Sequence, residues 1–547
     1  MSRKKRALFL TEASYLSTGY ATYGREVLDR LYKSNKYEVA EFSVYGNTED
    51  SRRKSIKWKN YCNMPDGSAE QQKLYNSNAT NQFGAWRFER ACLDFEPDIV
   101  LCIRDFWMDS FVWHSPYRRI FEWAWMPTVD ASPQNVEWVD MFSDADYLLT
   151  YSDWAGEVLK KQGGPSINLC GTASPSASKE FKPIENARDS LGVPSDWKII
   201  GTVMRNQRRK LFPALLEAFG EYLHSSGDLN TYLYCHTSYP DAGWNISEML
   251  HRYNISSRVL FSYRCHNCNK LDVSTFHDAR KVCSGCKQYA SAPVSVSNGV
   301  DDETLAKVYN CFDLYVQCAN SEGFGLPQVE AAACGIPIAC TYYSAMEDVV
   351  HKLGAYPLKY NTYQELETGC DRAVPLKDDI VNTFNTFFNK KNQEERKELG
   401  RSTRRLFEEN YSWDETAKKW ADIIDDCNYA DWKQAPMLRP VVDINTDQSS
   451  HSEFINDLLS AYMYTASHRN SHYIRNLHSA LCRGATRMNF DGFFTSDFSP
   501  GNDGKHSPVD RQHLVNFMKK RLENYNIWET VRVDRSKLID GKAKWLN

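Results

Sequence analysis

The stretch SEGFGLPQVEAAACGIP (321–337) carries two glutamates, Glu322 and Glu330, separated by seven residues. Two glycines and a proline stand between them, and these residues disfavour a helix interior. The stretch follows DLYVQCA, an apolar run with the length of a buried strand. Pro327 suits a first helical turn, because the N–H group that it lacks would have no partner there. We therefore predict a strand, a loop that holds Glu322 and a helix that holds Glu330.

This predicted strand–loop–helix unit has the features of a ligand site. Glycines let backbone N–H groups approach a ligand, and a helix N-terminus favours an anion such as phosphate. Glu322 in the loop can accept hydrogen bonds from sugar hydroxyls. Glu330, within the first turns of the helix, can bind another hydroxylated ring such as a ribose. The alternative is that both glutamates are caps or surface charges.

Strands alternate with helices along most of the chain, which predicts parallel sheets with crossover helices. A first α/β unit contains RALFLTE (6–12), YEVAEFSVY (37–45), DIVLCI (98–103) and ADYLLTYS (145–152) as strands. A second unit begins near residue 198 with the strand WKIIGTVMRN and the helix FPALLEAFGEYL (212–223). The sequence thus predicts two consecutive α/β units.

The loop after the first strand of the second unit is basic. Arg205 and Lys210 lie there five residues apart, with Arg208 and Arg209 between them. Loops at the carboxyl ends of parallel strands are where α/β folds bind ligands. Two such cations can clamp a diphosphate, one in a bidentate manner and one as a point charge. A solvated basic loop is the alternative.

Four cysteines interrupt the second unit in a C-x2-C-x14-C-x2-C arrangement: Cys265, Cys268, Cys283 and Cys286. Two such knuckles complete a tetrahedral zinc site, and four thiolates leave no position for a catalytic water. We predict a structural zinc ribbon, against the alternative of four free cysteines. The ribbon either staples a loop, which we favour, or contacts a macromolecule.

Composition narrows the class of protein. A length of 547 residues predicts about three or four domains, and a net charge of −4 argues against binding to nucleic acid by charge alone. The longest apolar runs are too short to span a membrane or to form a signal-peptide core. Sixteen cysteines without a secretory signal indicate a reducing compartment, so we expect a cytoplasmic protein.

Several separate motifs resemble one known family. EGFGLPQVE resembles the E-x7-E motif of retaining glycosyltransferases of the GT-B fold, most closely family 4, and the Arg205…Lys210 pair lies at the usual distance upstream. GTASPSASKEFKP (171–183) resembles the segment that leads into the interdomain connection. YSWDETAKKW (411–420) resembles the helix that returns to the first domain. The resemblance covers about residues 6–427.

The resemblance implies an α/β protein of GT-B architecture, with two Rossmann-like domains facing a cleft. We expect an acceptor-side domain over residues 1–185 and a nucleotide-sugar domain over 186–411, the latter with the zinc-ribbon insertion at 262–290. Residues 412–427 form the returning helix. Residues 428–547 form a linker and a mostly helical extension, for which the sequence predicts no role.

The resemblance also implies roles for individual residues. Arg205 and Lys210 would bind the donor diphosphate, Glu322 the transferred sugar and Glu330 the nucleotide ribose. Backbone contacts and the floor of the cleft would come from Gly323, Phe324, Gly325, Leu326 and Gly19. Many members carry a histidine near the reacting sugar, whereas the matching region here, WMPTVDASPQN (125–135), has Asp130. Asp130 contacts a donor hydroxyl or the acceptor, or is only a loop cap.

The implied reaction is retaining transfer of a hexose or similar sugar from a UDP- or GDP-sugar to an acceptor hydroxyl, with no catalytic metal. The acceptor stays open among a glycan, a lipid and a protein. One alternative is a phage-type DNA glycosyltransferase that modifies hydroxymethylated bases. Another is a non-catalytic, zinc-ribbon nucleic-acid-binding protein on a transferase fold.

Overall fold

The computed structural model describes residues 3–115, 117–295, 297–434 and 444–447, with short pieces between 454 and 519. The first domain is built on a seven-stranded parallel sheet of order β3-β2-β1-β4-β5-β6-β7. Its strands are β1 (Arg6–Glu12), β2 (Glu38–Val44), β3 (Lys59–Cys62), β4 (Ile99–Cys102), β5 (Glu122–Trp125), β6 (Tyr147–Thr150) and β7 (Leu169–Thr172).

Helices connect these strands and continue to the second domain. They are α1 (Gly19–Lys33), α2 (Ala69–Asn76), α3 (Ala79–Gln82), α4 (Phe88–Phe95), α5 (Phe106–Trp113), α6 (Val136–Phe142), α7 (Asp153–Gly163) and α8 (Ala187–Leu191). Thr18 caps α1 by accepting a hydrogen bond from the backbone N–H of Ala21. Tyr23, Val27 and Leu31 lie on one face of α1 at helical spacing and are buried, which explains why this segment folds as a helix against the sheet.

The second domain contains a nine-stranded sheet of order β12-β13-β10-β9-β8-β14-β15-β16, with β11 paired to β10. Its strands are β8 (Lys198–Val203), β9 (Thr231–His236), β10 (Val259–Cys265), β11 (Leu271–Thr275), β12 (Lys281–Val282), β13 (Tyr289–Pro293), β14 (Leu314–Gln317), β15 (Ile338–Thr341) and β16 (Tyr356–Leu358). Six strands form a parallel part of this sheet, in the order β10-β9-β8-β14-β15-β16. The other three strands, β11, β12 and β13, pair in the antiparallel sense.

The remaining elements surround this sheet or follow it. The helices are α9 (Phe212–Ser226), α10 (Ile246–Arg252), α11 (Asp302–Tyr309), α12 (Leu326–Ala333), α13 (Ala345–Leu353), α14 (Lys377–Phe388), α15 (Gln393–Asn410) and α16 (Trp413–Asp426). Two small hairpins are formed by β17 (Tyr360–Gln364) with β18 (Asp371–Pro375), and by β19 (Arg487–Met488) with β20 (Phe494–Thr495).

Each parallel sheet has one point at which the strand order reverses. In the first sheet this point lies between β1 and β4, and in the second sheet it lies between β8 and β14. Loops that leave neighbouring strands in opposite directions open a crevice at such a point, outside the carboxyl ends of the strands. The two α/β units predicted from the sequence therefore each have one such reversal of strand order.

Several contacts join the domains, two of them away from the cleft. Helix α16 packs on α1, where Trp420 Nε1 donates to Tyr23 Oη at 2.8 Å and Tyr37 Oη donates to Asp425 Oδ1 at 2.8 Å. On the other side, the Asp348 carboxylate accepts hydrogen bonds from the backbone N–H groups of Asp153 and Trp154 at 2.7 and 3.0 Å. A carboxylate of the second domain thus completes the N-terminus of α7 in the first.

The expected extension over residues 428–547 lies largely outside the described residues. Its described parts include the hairpin β19–β20 and helical residues at positions 454, 457, 512, 515–516 and 519. Every helix in the described part of the chain is too short or too polar to cross a lipid bilayer.

Candidate active site

The centre of the candidate site is a buried ion cluster around Glu322, in the crevice between β8 and β14. Lys210 Nζ and Gln317 Nε2 both donate to Glu322 Oε1, and Arg209 Nη1 donates to Oε2 at 2.9 Å. The two cations belong to a 3₁₀ helix (Arg208–Lys210) in the loop after β8. Glu322 lies in the loop after β14, as the sequence predicted. Only 6% of the glutamate side chain and 8% of the lysine side chain are exposed to solvent.

Burial and pairing act against each other in this cluster. Burial raises the pKa of Glu322, but the charges of Lys210 and Arg209 outweigh it and lower that pKa to about 2. Burial lowers the pKa of Lys210 to about 8, although the charge of Glu322 opposes this shift. The charge of Glu322 also raises the pKa of Arg209. The site therefore holds a carboxylate that stays ionised and a lysine that a further negative charge would stabilise in its protonated form.

Arg205, the other predicted diphosphate ligand, lies apart from this cluster. Its guanidinium binds Asp241 in a bidentate manner, with N–O distances of 3.0 and 2.9 Å, and about half of its side chain is exposed. Asp241 follows β9; burial raises its pKa, and the hydrogen bonds from Arg205 and Ser238 outweigh this and lower it to about 2. The structure thus pairs Arg205 and Lys210 with two different carboxylates.

Glu330 lies on α12, as predicted, and its Oε2 accepts a hydrogen bond from Tyr309 Oη at 2.7 Å. Burial raises the pKa of Glu330 to about 7, while the hydrogen bond from Tyr309 acts in the opposite direction. Near neutral pH this side chain consequently exists as a mixture of the carboxylate and the carboxylic acid.

The GFGL segment forms a tight turn into α12. Gly325 is the N-cap of the helix at φ 89°, a conformation that favours glycine, and no side chain caps the helix. Phe324 turns inward and packs edge-on against Tyr411, with ring centroids 5.9 Å apart. Leu326 begins the helix. An anion at this end of α12 would meet the N–H group of Leu326, because Pro327 has none and the Gln328 N–H donates to the backbone oxygen of Gly325 at 3.0 Å.

Gly323 lies where the two domains meet. A Cβ built on this glycine would lie 2.3 Å from Thr128 Cγ2 of the first domain, so only glycine fits. Close by, Arg372 of β18 binds Asp130 of the first domain at 2.9 Å and donates to Ser321 Oγ at 2.7 Å. The structure therefore places Asp130 at the mouth of the site, in an ion pair that crosses the cleft.

The first domain contributes a second carboxylate, Asp105, from the loop after β4. Tyr20 Oη donates to Asp105 Oδ1 at 3.1 Å and lies 2.8 Å from Thr128 Oγ1. Burial raises the pKa of Asp105 to about 6, with a further contribution from the charge of Asp130. Gly19, beside Tyr20, has open space where a Cβ would lie. Gly19, at the start of α1, thus lies next to the Tyr20–Asp105 contact, and the charge of Asp105 acts on Arg209 of the ion cluster around Glu322.

The four predicted zinc ligands come together. Their Sγ atoms lie within 4.8 Å of one another, with the Cys265–Cys286 and Cys268–Cys283 pairs at 3.6 and 3.5 Å. Tetrahedral coordination at a zinc–sulfur distance of about 2.3 Å requires sulfurs about 3.8 Å apart, close to this spacing. The backbone N–H groups of Asn267 and Gly285 also donate to Cys265 and Cys283 sulfur atoms, as thiolate ligands require. The donor set therefore fits zinc.

Sequence reasoning missed four residues of this site. Arg209 was noted only as part of a basic run, and Gln317 only as part of a strand. Asp105 and Arg372 were not singled out. A signal was available for Asp105, since it lies two residues after the apolar run DIVLCI (98–103), at a predicted carboxyl end. Arg372 had none, because its hairpin was not predicted.

Comparison with known proteins agrees with the geometry. Residues 287–406, which include both glutamates of the motif, match the family described as glycosyl transferases group 1. D-inositol 3-phosphate glycosyltransferase 2 of Catenulispora acidiphila is 24% identical over 209 residues, which cover 38% of this chain and 42% of that protein. The chain thus spans less than half the length of this curated relative.

Solved structures match over a larger part of the chain. Sucrose-phosphate synthase from Thermosynechococcus elongatus superposes with a TM-score of 0.57 at 16% identity, over 77% of this chain and 98% of that one. Anabaena HepE in complex with UDP and glucose superposes with a TM-score of 0.54 at 11% identity, over 77% and 99%. The α/β fold is therefore the GT-B fold predicted from the sequence, and residues 287–406 carry a glycosyl transferases group 1 domain.

Proposed function

We propose that the protein is a retaining glycosyltransferase that transfers a hexose or similar sugar from a UDP- or GDP-sugar to an acceptor hydroxyl. The observation that carries this proposal is the buried Lys210–Glu322 pair, which the partly exposed Arg209 joins, in the loop that leads to the N-terminus of α12. Both lie in the crevice of the second sheet, where α/β folds bind nucleotides. The UDP named with Anabaena HepE supports a nucleotide donor.

Each donor contact follows from the local chemistry. The diphosphate would lie on the N-terminus of α12, where Lys210 supplies a buried charge. Arg205, half exposed and held by Asp241, can turn toward the outer phosphate. Glu322 keeps a free lone pair on Oε2 for a sugar hydroxyl, because its three hydrogen bonds use three of about four acceptor positions. Glu330 would bind the ribose, and backbone groups of Gly323–Leu326 would line the turn.

The reaction would place charge where the cations lie. As the bond between the anomeric carbon and the phosphate oxygen breaks, the diphosphate gains negative charge, which Lys210 and Arg205 stabilise more than they stabilise the ground state. The acceptor oxygen forms the new bond on the same face of the sugar. Its proton leaves with the diphosphate, so the balance is acceptor and nucleotide sugar to glycoside, nucleoside diphosphate and a proton.

We also propose that Cys265, Cys268, Cys283 and Cys286 hold a structural zinc ion. Four thiolates occupy all positions of a tetrahedral ion, so the metal would stabilise the fold and take no part in transfer. We infer a reducing compartment such as the cytoplasm, in which thiolates are available to bind a metal.

The ribbon offers little support for the DNA-modifying alternative. Three of the five Lys and Arg residues of the ribbon are engaged within the protein: Arg264 donates to Asn298 and Asn269, Lys281 to Ser274, and Lys287 to the backbone oxygen of Ser284. This leaves Lys270 and Arg280 as the exposed cations. A staple for the loop between β10 and α11 is the role that these contacts favour.

The proposal is tested by incubating the full chain with radiolabelled UDP-glucose or GDP-mannose, with and without sugar acceptors, and measuring released nucleotide. We expect hydrolysis or transfer with at least one donor, and its loss in Glu322→Gln. Glu303→Gln is the matched control, since Glu303 pairs with Lys307 on the surface of α11. A wild-type protein that neither binds nor cleaves any nucleotide sugar would refute the proposal.

A further inference from the structure

The hairpin of β17 and β18 connects the two walls of the cleft. It forms a two-stranded sheet that is separate from the large sheets of both domains. The backbone N–H of Asp371 donates to the carbonyl oxygen of Ser132 in the first domain at 3.0 Å. Two residues further on, the N–H of Ala373 donates to the carbonyl oxygen of Asn320 in the second domain, also at 3.0 Å. One edge of β18 therefore binds a loop from each domain.

Arg372 lies between these two backbone contacts, and its side chain repeats the link. Its Nη1 lies 2.9 Å from Asp130 Oδ2 of the first domain and donates to Ser321 Oγ of the second domain at 2.7 Å. Ser321 Oγ in turn lies 3.2 Å from the same Asp130 oxygen. Three side chains from two domains thus form one closed set of contacts.

The hairpin holds the Arg372 guanidinium in a fixed orientation. Nε and Nη2 both donate to Glu365 Oε2, at 3.0 and 2.9 Å, and only 11% of the arginine side chain is exposed. Tyr343 fixes the neighbouring backbone, because its Oη donates to the Asp371 carbonyl oxygen at 2.5 Å and accepts from the Ser132 N–H at 3.2 Å. A planar guanidinium can bind carboxylates on two of its edges at once, which a lysine ammonium cannot do in the same geometry.

The contacts of Arg372 bear on the loop that carries Glu322. Within the second domain this loop is held by the cations of the ion cluster, which pair with the Glu322 carboxylate, and by Ser344 Oγ, which accepts from the Glu322 N–H at 2.9 Å. Ser321, the preceding residue, is fully buried and links the loop to Asp130 through Arg372. A displacement of about 1 Å at a reacting group can reduce a rate about 100-fold, so this link bears on transfer.

We propose that Arg372 is a positioning residue for sugar transfer. It holds Ser321, and with it Glu322, in a fixed position relative to Asp130 on the opposite wall of the cleft, without contact to the donor. This inference rests on the proposed function, in which Glu322 binds the transferred sugar. The loss of Arg372 should therefore lower kcat and leave nucleotide affinity unchanged.

The test compares full-length variants on each side of this link. Arg372→Met removes the guanidinium, Arg372→Lys keeps its charge, and Ser321→Ala removes the hydroxyl while every charged group stays in place. Arg188→Met is the matched control, because Arg188 is also largely buried and pairs with Asp313 at 2.8 Å. Asp313 directly precedes β14, so this pair lies at the amino ends of the strands, away from the cleft.

Three quantities are measured for each variant. Nucleotide release from radiolabelled UDP-glucose or GDP-mannose gives kcat and KM, and calorimetry gives the affinity for UDP or GDP. Hydrogen exchange followed by mass spectrometry reports the backbone of residues 318–325 in the absence of ligand.

We expect Arg372→Met to lower kcat at least about tenfold, with KM and nucleotide affinity unchanged. Arg372→Lys should recover part of this loss, and Ser321→Ala should lower kcat about two- to tenfold. The double variant Ser321→Ala/Arg372→Met should be no slower than Arg372→Met, because both changes break one link. Arg188→Met should lose thermal stability and keep its kcat. An unchanged kcat in both Arg372→Met and Ser321→Ala, or losses that multiply in the double variant, would overturn the proposal.

Hydrogen exchange separates this proposal from the proposed function. Exchange over residues 318–325 should rise at least about tenfold in Arg372→Met and stay at the wild-type rate in Arg188→Met. Equal exchange in Arg372→Met and the wild type would overturn the positioning role. A wild type that cleaves neither donor would count against the proposed function, and the exchange rates would still decide whether Arg372 holds the loop.

Discussion

Gly323 of the second domain lies against Thr128 of the first, so closely that a Cβ on the glycine would lie 2.3 Å from the threonine methyl carbon. At this contact the absence of a Cβ on Gly323 allows the two domains to approach each other.

The contact predicts the behaviour of Gly323→Ala. The added methyl group should separate the walls, lower the free energy of unfolding by about 1–3 kcal/mol and reduce turnover about 100-fold. Thr128→Ser removes the opposing methyl carbon and keeps the hydroxyl near Tyr20. The double variant Gly323→Ala/Thr128→Ser should therefore recover activity, measured as nucleotide release. Equal loss in the single and double variants would contradict a steric origin.

The Lys210–Glu322 pair predicts that substitution of the lysine affects activity more than stability, whereas substitution of the glutamate affects both. Lys210→Met should reduce transfer by at least about 100-fold, because it removes a cation from the developing charge. It should leave the protein folded, since Arg209 and Gln317 still donate to Glu322. Glu322→Gln leaves a buried lysine without its counter-charge and should cost about 3–5 kcal/mol.

The double variant Lys210→Met/Glu322→Gln sharpens this test. Thermal unfolding should show stability regained relative to Glu322→Gln, whereas transfer should stay absent. Lys307→Ala, which breaks a surface pair on α11, is the control and should change neither quantity. Activity in the double variant would contradict the assigned role of the lysine.

Glu330 predicts a pH dependence of nucleotide binding. Its pKa of about 7 means that the carboxylate forms as the pH rises through neutrality, and the carboxylate accepts ribose hydroxyl groups better than the acid does. Affinity for UDP or GDP should rise about tenfold between about pH 6 and pH 8. Calorimetric titration measures it. The rise should vanish in Glu330→Gln, and its persistence there would show that another group causes it.

The same shift has a consequence for the free protein. The folded state raises the pKa of Glu330 above its ordinary value of 4.5, so the folded protein binds a proton that the unfolded chain releases. The stabilising contribution of Glu330 is therefore complete below about pH 4.5 and is lost as the pH rises through about 7. Glu322 acts in the opposite direction: its contribution is present above about pH 4.5 and is lost as the pH falls toward about 2.

The cysteine cluster predicts one zinc ion per chain. Elemental analysis of the purified protein should find it, and Cys283→Ser should lose it together with thermal stability. Cys170→Ser is the matched control, because Cys170 is exposed and lies outside the cluster. Purified protein without stoichiometric zinc would contradict the zinc site, and the four cysteines would then be free thiols.

The sequence predicted the elements that follow local rules. RALFLTE is β1 to the residue, and the strand, loop and helix around Glu322 were placed correctly, because period, length and proline position determine them. The sequence predicted the helix after β1 from the apolar spacing in YGREVLDRLYKS. In the structure the helix begins earlier, at Gly19, because Thr18 caps it. The GT-B fold followed from motif resemblance.

The partners of the site residues could not be predicted in the same way. Arg209 reaches Glu322 across 113 positions, and Arg372 reaches Asp130 across the cleft from a hairpin whose edge pairs Asp371 with Ser132. Such pairs depend on how the two domains are packed, which no local pattern records. Arg205 is an example: the sequence predicted the loop in which it lies, but not its ion pair with Asp241.

Strand β10 belongs at once to the parallel sheet, through β9, and to the cysteine ribbon, through β11 and β13. A metal held by the four thiolates would therefore be fixed in the frame of the second domain. Substitution with paramagnetic Co²⁺ would turn it into an internal reference point. Distance-dependent NMR effects from that ion on groups of the first domain would then report the distance between the two domains.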